Sequence, residues 1–277
     1  MKMLHLPSGI PVPVLGQGTW KMGEESKRRG DEIAALRHGL DLGMTLIDTA
    51  EMYAEGGAEE VVAEAIADRR AEVFLVSKVY PHNATRQGTI AACDRSLRRL
   101  KTDYLDLYLL HWRGSVPLAE TLEAFKSLKE SGKIRDYGVS NFDTADMQKA
   151  SALSGGEAIA TNQVLYNLMR RGIEWDLLPW CRTHGLPIMA YSPVEQGRML
   201  DNKVLREMAQ HRAIAPAQLG LAWLLHQENV IAIPKSSDKE HLTQNRKALD
   251  LRLTVEELAV LDKAFPPPSK RTALEML

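Results

Sequence analysis

Strand-like apolar runs and helical patterns alternate along the chain from end to end. "VPVLGQGTW" (12–20) precedes "KRRGDEIAALRHGLDLG" (27–43), in which Ile33, Leu36 and Leu40 recur on one helical face and Gly43 supplies a stop. "TLIDTA" precedes "AEEVVAEAIADR", "VFLVSKV" (73–79) precedes "RQGTIAACDRSLRRL", and "YLDLYLLH" (104–111) precedes "LAETLEAFKSLKESG". "IRDYGVSN" (134–141) leads into "DTADMQKASAL", capped by Asp143, and "IATNQVLY" into "EWDLLPWCRTHG". "PIMAYSP" (187–193) is followed by a longer irregular stretch and then the helix "APAQLGLAWLLHQE", and "VIAIPKS" (230–236) by "DKEHLTQNRKALD". "TVEELAVLDKAF" adds one helix more, while "MKMLHLPSGIPVPVL", broken by Pro7, Gly9, Pro11 and Pro13, reads as a short N-terminal hairpin.

Eight strand–helix units follow one another with no Ser/Gly linker and no shift in composition. Near-continuous apolar strands are those of a parallel sheet buried on both faces, and eight such units in about 250 residues predict a (β/α)8 TIM barrel. The expected architecture is one domain over residues 1–277, with the N-terminal β-hairpin and an extra C-terminal helix. A doubly wound sheet is the alternative, but its dinucleotide fingerprint fails: "GQGTWKMG" gives G-x-G and then the wrong spacing.

A formal net charge of −1 gives no electrostatic footprint for nucleic acid, and no run of about eighteen apolar residues predicts a membrane helix. Cys93 and Cys181 lie in helical patterns and read as reduced packing residues of a cytoplasmic protein. The histidines are scattered without H-x-x-x-H or C-x-x-C spacing, so no metal site is expected.

In a barrel every strand's C-terminal end opens on one face, where sites are built. Asp48, Lys78 and His111 each close one of three consecutive strands, and Tyr53 follows Asp48 in the loop above. Taken singly, the aspartate reads as a cap, the lysine as a snorkelling cation, the histidine as a core residue and the tyrosine as a surface phenol. Together they suit proton delivery to a carbonyl oxygen: a lysine ammonium favours the phenolate, a carboxylate orients the lysine, and an imidazole can hydrogen-bond the substrate oxygen. Such an acid needs a hydride donor. Ser140, Asn141 and Gln163 offer groups matched to a carboxamide, Tyr191 a ring on which a nicotinamide could stack, and Lys235 and Ser236 a phosphate site before a helix.

The motifs "GQGTW", "LIDTAEMY", "VSKV", "LLHW", "GVSN", "TNQ", "YSP" and "IPKS" occur in the order of the aldo-keto reductase family, which the chain resembles over nearly its whole length. The resemblance implies a barrel that reduces aldehydes and ketones with NADPH, NADH being a possible substitute. It implies Tyr53 as general acid, Lys78 and Asp48 as its tuners, and His111 orienting the carbonyl. It also implies that Gly18, Thr19, Trp20, Asp48, Ser140, Asn141, Gln163, Tyr191, Ser192, Lys235, Ser236, His241, Gln244 and Asn245 hold the cofactor. Substrate would lie among Trp20, Tyr53, His111 and Trp112.

The sequence departs from the family where an adenosine-side arginine falls on His241 and an acid on Gln244, with Lys239 or Arg246 as the candidate substitutes. The chain most resembles bacterial members that reduce small 2-oxoaldehydes such as methylglyoxal. The short "WRGSVP" segment and the short tail after Phe265 predict an open pocket for a small-molecule carbonyl, in a protein expected to be a monomer. Two other functions fit parts of the pattern. A Schiff-base aldolase would need Lys78 neutral, which Asp48 opposes, and an NADPH-binding redox sensor could keep all four residues while signalling to a partner protein.

Overall fold

The computed structural model describes all 277 residues. Strands β1 (Met3–His5) and β2 (Pro11–Pro13) pair antiparallel as the N-terminal hairpin. Eight parallel strands follow: β3 (Gly16–Gly18), β4 (Leu46–Asp48), β5 (Phe74–Val79), β6 (Leu105–Leu110), β7 (Ile134–Ser140), β8 (Ile159–Leu165), β9 (Ile188–Tyr191) and β10 (Val230–Ala232). Each pairs with the next, and parallel bridges Leu15 to Ala232 and Gly18 to Lys235 join β10 back to β3. The sheet therefore closes on itself as a (β/α)8 barrel. At this joint a side chain on Gly18 would sit 2.9 Å from the Ile233 carbonyl oxygen, closer than a Cβ tolerates.

The helices α1 (Arg29–Asp41), α2 (Gly57–Ala65), α3 (Arg86–Leu100), α4 (Leu118–Glu130), α5 (Thr144–Ser151), α6 (Leu177–Thr183), α7 (Lys203–His211), α8 (Pro216–His226), α9 (Lys239–Lys247) and α10 (Val255–Ala264) surround it. Alternation along the strands divides the apolar residues in two. A large layer lies between barrel and helices, holding Ile47, Leu75, Val79 and Tyr108. A smaller one fills the barrel with Leu46, Phe74, Val76, Leu107, Leu109, Met189, Ile231 and Ile233, and is plugged from below by Leu6 and Val12 of the hairpin.

Two elements differ from the sequence reading. The stretch after β9 contains α7, whose start is marked by Asn202 accepting from the Leu205 amide and whose Leu205 and Ala209 are buried. The left-handed residues Glu195, Gln196 and Gly197 just before it break the pattern that would have announced it. The tail after Phe265 is not a free end. Arg171 donates to the Phe265 carbonyl, Arg271 pairs with Asp176 at 3.0 Å, and Glu275 pairs with Arg170, so the tail crosses back over the barrel mouth.

Candidate active site

The strand register sets the site. Asp48 stands beside Val76 and Lys78 beside Leu109, so successive strands are staggered and each inward polar residue lies just above the apolar plug. Lys78 is completely buried and Asp48 is 2% exposed. The lysine Nζ donates to Asp48 Oδ2 at 2.8 Å, to the Thr49 carbonyl at 2.8 Å and to the Tyr53 hydroxyl at 3.3 Å. Three acceptors match the three hydrogens of an ammonium, so the lysine sits there as a cation. Burial lowers its pKa, and the charge of Asp48 and its hydrogen bond oppose that shift. A lysine held in this way has no lone pair for a Schiff base.

Because Tyr53 accepts from Lys78, its own hydroxyl hydrogen is left to point into the cleft. The expectation that the ammonium would lower the phenol pKa is reversed. Burial, and then the negative charge of Asp48, hold Tyr53 well above the ordinary tyrosine range. Asp48 cancels the lysine's charge, so desolvation decides, and the group keeps its proton at neutral pH.

The His111 ring meets the Tyr53 ring edge-on, with centroids 5.7 Å apart. Burial, and then the Lys78 charge, keep the imidazole well below its ordinary pKa, hence neutral. Its Nδ1 is buried without a partner. An orphaned acceptor costs less than an orphaned N–H, which places the ring proton on Nε2.

Gln163 reaches across the barrel, and its Nε2 donates to Asp48 Oδ1 at 2.7 Å, leaving Oε1 without a protein hydrogen bond. Ser140 Oγ donates to the Gln163 carbonyl, Asn141 Nδ2 to the His111 carbonyl, and the Tyr191 hydroxyl to Asn141 Oδ1 at 3.0 Å. Burial pushes the Tyr191 phenol up to about 12. Asn141 (φ 58°) and Ser192 (φ 46°) are left-handed at the ends of β7 and β9, a backbone cost found where a chain must turn sharply around a site.

These residues line one cleft of about 530 Å³. Of the residues singled out from the sequence, Gly18, Thr19, Trp20, Asp48, Tyr53, His111, Trp112, Ser140, Asn141, Gln163, Tyr191, Ser192, Lys235 and His241 form its wall. Lys78 lies just beneath, under Tyr53. Ser236, Gln244 and Asn245 do not line it: the Ser236 hydroxyl is tied into a turn with Asp238, Gln244 bonds Glu240 along α9, and Asn245 is buried. Arg246 pairs with Asp250, away from the cleft.

The sequence reading missed the tail. Met276 and Leu277 join Trp20 and Met52 as exposed apolar side chains on the cleft wall, so the mouth is partly walled rather than open. It also missed Thr49, whose carbonyl carries one bond of Lys78 and which no side-chain pattern could reveal. The wall combines a ring at Tyr191, an amide at Gln163 and cations at Lys21 and Lys235, groups that suit the parts of a dinucleotide.

A model of the aldo/keto reductase family matches residues 14–265. The chain belongs to this family. The aldo/keto reductase described here is 54% identical over 281 residues to methylglyoxal reductase YeaE of Escherichia coli (strain K12), covering 100% of this chain and 99% of that one. It is 33% identical to glyoxal reductase of Bacillus subtilis (strain 168), over 94% of this chain and 91% of that one. Its backbone matches an aldo/keto reductase from Klebsiella pneumoniae, crystallised in complex with NADP and acetate, at a TM-score of 0.97 and 53% identity, over 100% of this chain and 99% of that chain.

Proposed function

We propose that this aldo/keto reductase uses NADPH to reduce small aldehydes and ketones to alcohols, with 2-oxoaldehydes such as methylglyoxal as the first substrates to test. The donor set fits the dinucleotide. Gln163 keeps Oε1 free for a carboxamide N–H, Tyr191 offers a ring, and Lys235 is a cation that belongs to none of the protein's ion pairs. The nicotinamide, when bound, supplies the hydride.

The chain's own residues handle the proton. The substrate oxygen sits between His111 Nε2–H and the Tyr53 hydroxyl, both donors aimed into the cleft. Tyr53 gives up its proton as the oxygen gains charge, and the Lys78 ammonium, already hydrogen-bonded to the phenol oxygen, stabilises the phenolate that forms. Asp48 keeps Lys78 charged and in place, and Gln163 keeps Asp48 in place. Trp20, Met52 and Met276 add apolar surface to the cleft wall. The observation that carries this reading is the single buried ammonium shared by Asp48 and Tyr53.

The likeness to methylglyoxal and glyoxal reductases supports the choice of 2-oxoaldehyde. Two unpaired, buried thiols, Cys93 and Cys181, support a reducing cytoplasmic setting, and we read the active form as a monomer, which gel filtration would check. No helix is long and apolar enough to cross a membrane.

The decisive test follows NADPH absorbance with methylglyoxal for wild type beside Tyr53→Phe, with NADPH binding measured by fluorescence. The expected result is turnover in wild type, none in the variant, and a dissociation constant within about twofold, since the phenol serves the transition state rather than the dinucleotide. Substantial turnover by the variant would remove Tyr53 from the role of acid. Binding without turnover in wild type, across a wider carbonyl panel, would favour the redox-sensor reading.

A further inference from the structure

The position of the family's adenosine-side arginine is filled by His241, and neither substitute suggested by sequence suffices. Lys239 is a solvated lysine at the start of α9, and Arg246 is engaged with Asp250. A different cation occupies the neighbourhood. Arg28 lies in a turn of helix just before α1, 209 residues from Ser237, and its guanidinium donates to the Ser237 hydroxyl at 3.1 Å. Lys235 Nζ approaches the same hydroxyl at 3.5 Å.

Two cations thus converge on one neutral oxygen, although repulsion should part them, and neither belongs to any ion pair in the structure. Burial, and then the positive charge of Arg28, lower the Lys235 pKa. The nearest acids, Glu32 and Glu24, offset this only in part, and the Glu32 carboxylate is already occupied by the Gly23 amide at 2.9 Å. Arg29, the next residue, is by contrast paired, holding Glu64 at 2.6 Å. A pair of uncompensated cations around a hydroxyl, one of them, Lys235, on the cleft wall, is the complement of a dianion.

We infer that Arg28 is the residue that selects NADPH over NADH in this enzyme, its guanidinium, with Lys235 and Ser237, receiving the 2′-phosphate that the family's α9 arginine would otherwise hold. The inference rests on the NADPH reading above. A guanidinium can meet a phosphate through two parallel N–H donors, which the His241 imidazole cannot. Selection by charge would therefore come from the segment after β3, on the opposite side of the barrel joint from the α9 position.

The test compares NADPH, NADH, 2′,5′-ADP and 5′-AMP binding to wild type, Arg28→Ala and Arg28→Lys, by fluorescence quenching and calorimetry. A charge-assisted contact of this kind predicts a roughly ten- to hundredfold loss of NADPH and 2′,5′-ADP affinity in Arg28→Ala. NADH and 5′-AMP should bind within about twofold of wild type, and Arg28→Lys should recover part of the loss. Unchanged NADPH affinity in Arg28→Ala would overturn the inference. So would an equal loss for NADPH and NADH, which would mean that Arg28 merely holds the Ser237 loop. Failure of wild type to bind NADPH at all would instead strike the underlying functional reading.

Discussion

At the residue scale, the site works because polar groups that are costly to bury satisfy one another. Lys78 and Asp48 are both almost wholly withdrawn from water, and a buried pair of this sort is tolerated only when its remaining hydrogen-bonding capacity is used. Thr49, Tyr53 and Gln163 use it. His111 is different, because it is buried with no charge to partner it. Its native pKa lies well below the ordinary 6.5, so in the window between the two values the unfolded chain binds a proton that the folded one refuses. Stability is therefore complete above about pH 6.5 and falls as the pH drops through that window. Urea titrations of wild type and His111→Gln between pH 7.5 and 5 should show wild type losing more stability over that interval. Parallel curves would mean that the imidazole charges freely in the folded state. The clustering of Asp48, Lys78 and His111 was legible because each stands at a strand end, with Tyr53 in the loop that follows Asp48, whereas nothing in the sequence singled out Arg28. It sits in the charge run "ESKRRGDE", where nothing local separates it from a solvated cation.

At the element scale, the segment after β9 and the C-terminal tail both contribute to the cleft wall, and one arginine ties them together. The loop after β9 turns through left-handed Ser192, Glu195, Gln196 and Gly197, and is held by Glu195, which is fully buried and bonded to Asn167, Arg170 and Arg198. Arg170 also holds Glu275, one residue before Met276 and Leu277 of the cleft wall. The inner half of this link ends on a fully buried carboxylate. The outer half is half-exposed and worth about 0.2–1 kcal/mol. Glu275→Gln should therefore raise KM for methylglyoxal by roughly two- to fivefold and leave kcat and NADPH affinity unchanged. An unaltered KM in steady-state kinetics would show that the tail does not depend on this pair. Neither segment could be read from periodicity, because both are held by long-range ion pairs rather than by a repeating apolar face. The strands could, since burial on both faces makes them continuous apolar runs.

At the scale of the whole molecule, the alternation of apolar runs was enough to predict the barrel, because a parallel sheet of eight units has few other ways to bury its edges. The proline and glycine breaks predicted the hairpin, although α7 escaped both. What the pattern could not convey is that the closure is uneven. Inner neighbours such as β5 and β6 share four paired residues, whereas the first and last strands meet through isolated bridges, with Gly18 donating to the Pro234 carbonyl at 3.0 Å and Ala232 to the Val14 carbonyl at 2.9 Å. The joint is the weak link of a hoop, and Arg28 and Lys235 stand on either side of it. A dianion gripped by both would act as its clasp. NADPH at a hundred times its dissociation constant should then slow amide hydrogen exchange at Gly18 and Ala232 by up to about a hundredfold, with NADH at matched saturation slowing it less. The amide of Leu105, bonded to the Lys133 carbonyl at the far end of the barrel, serves as the reference that should not respond differently to the two dinucleotides. Equal slowing at the joint by NADPH and NADH would mean that the barrel is fastened by the rest of the dinucleotide. A greater effect of NADPH would make the extra phosphate a structural fastener as well as a mark of identity.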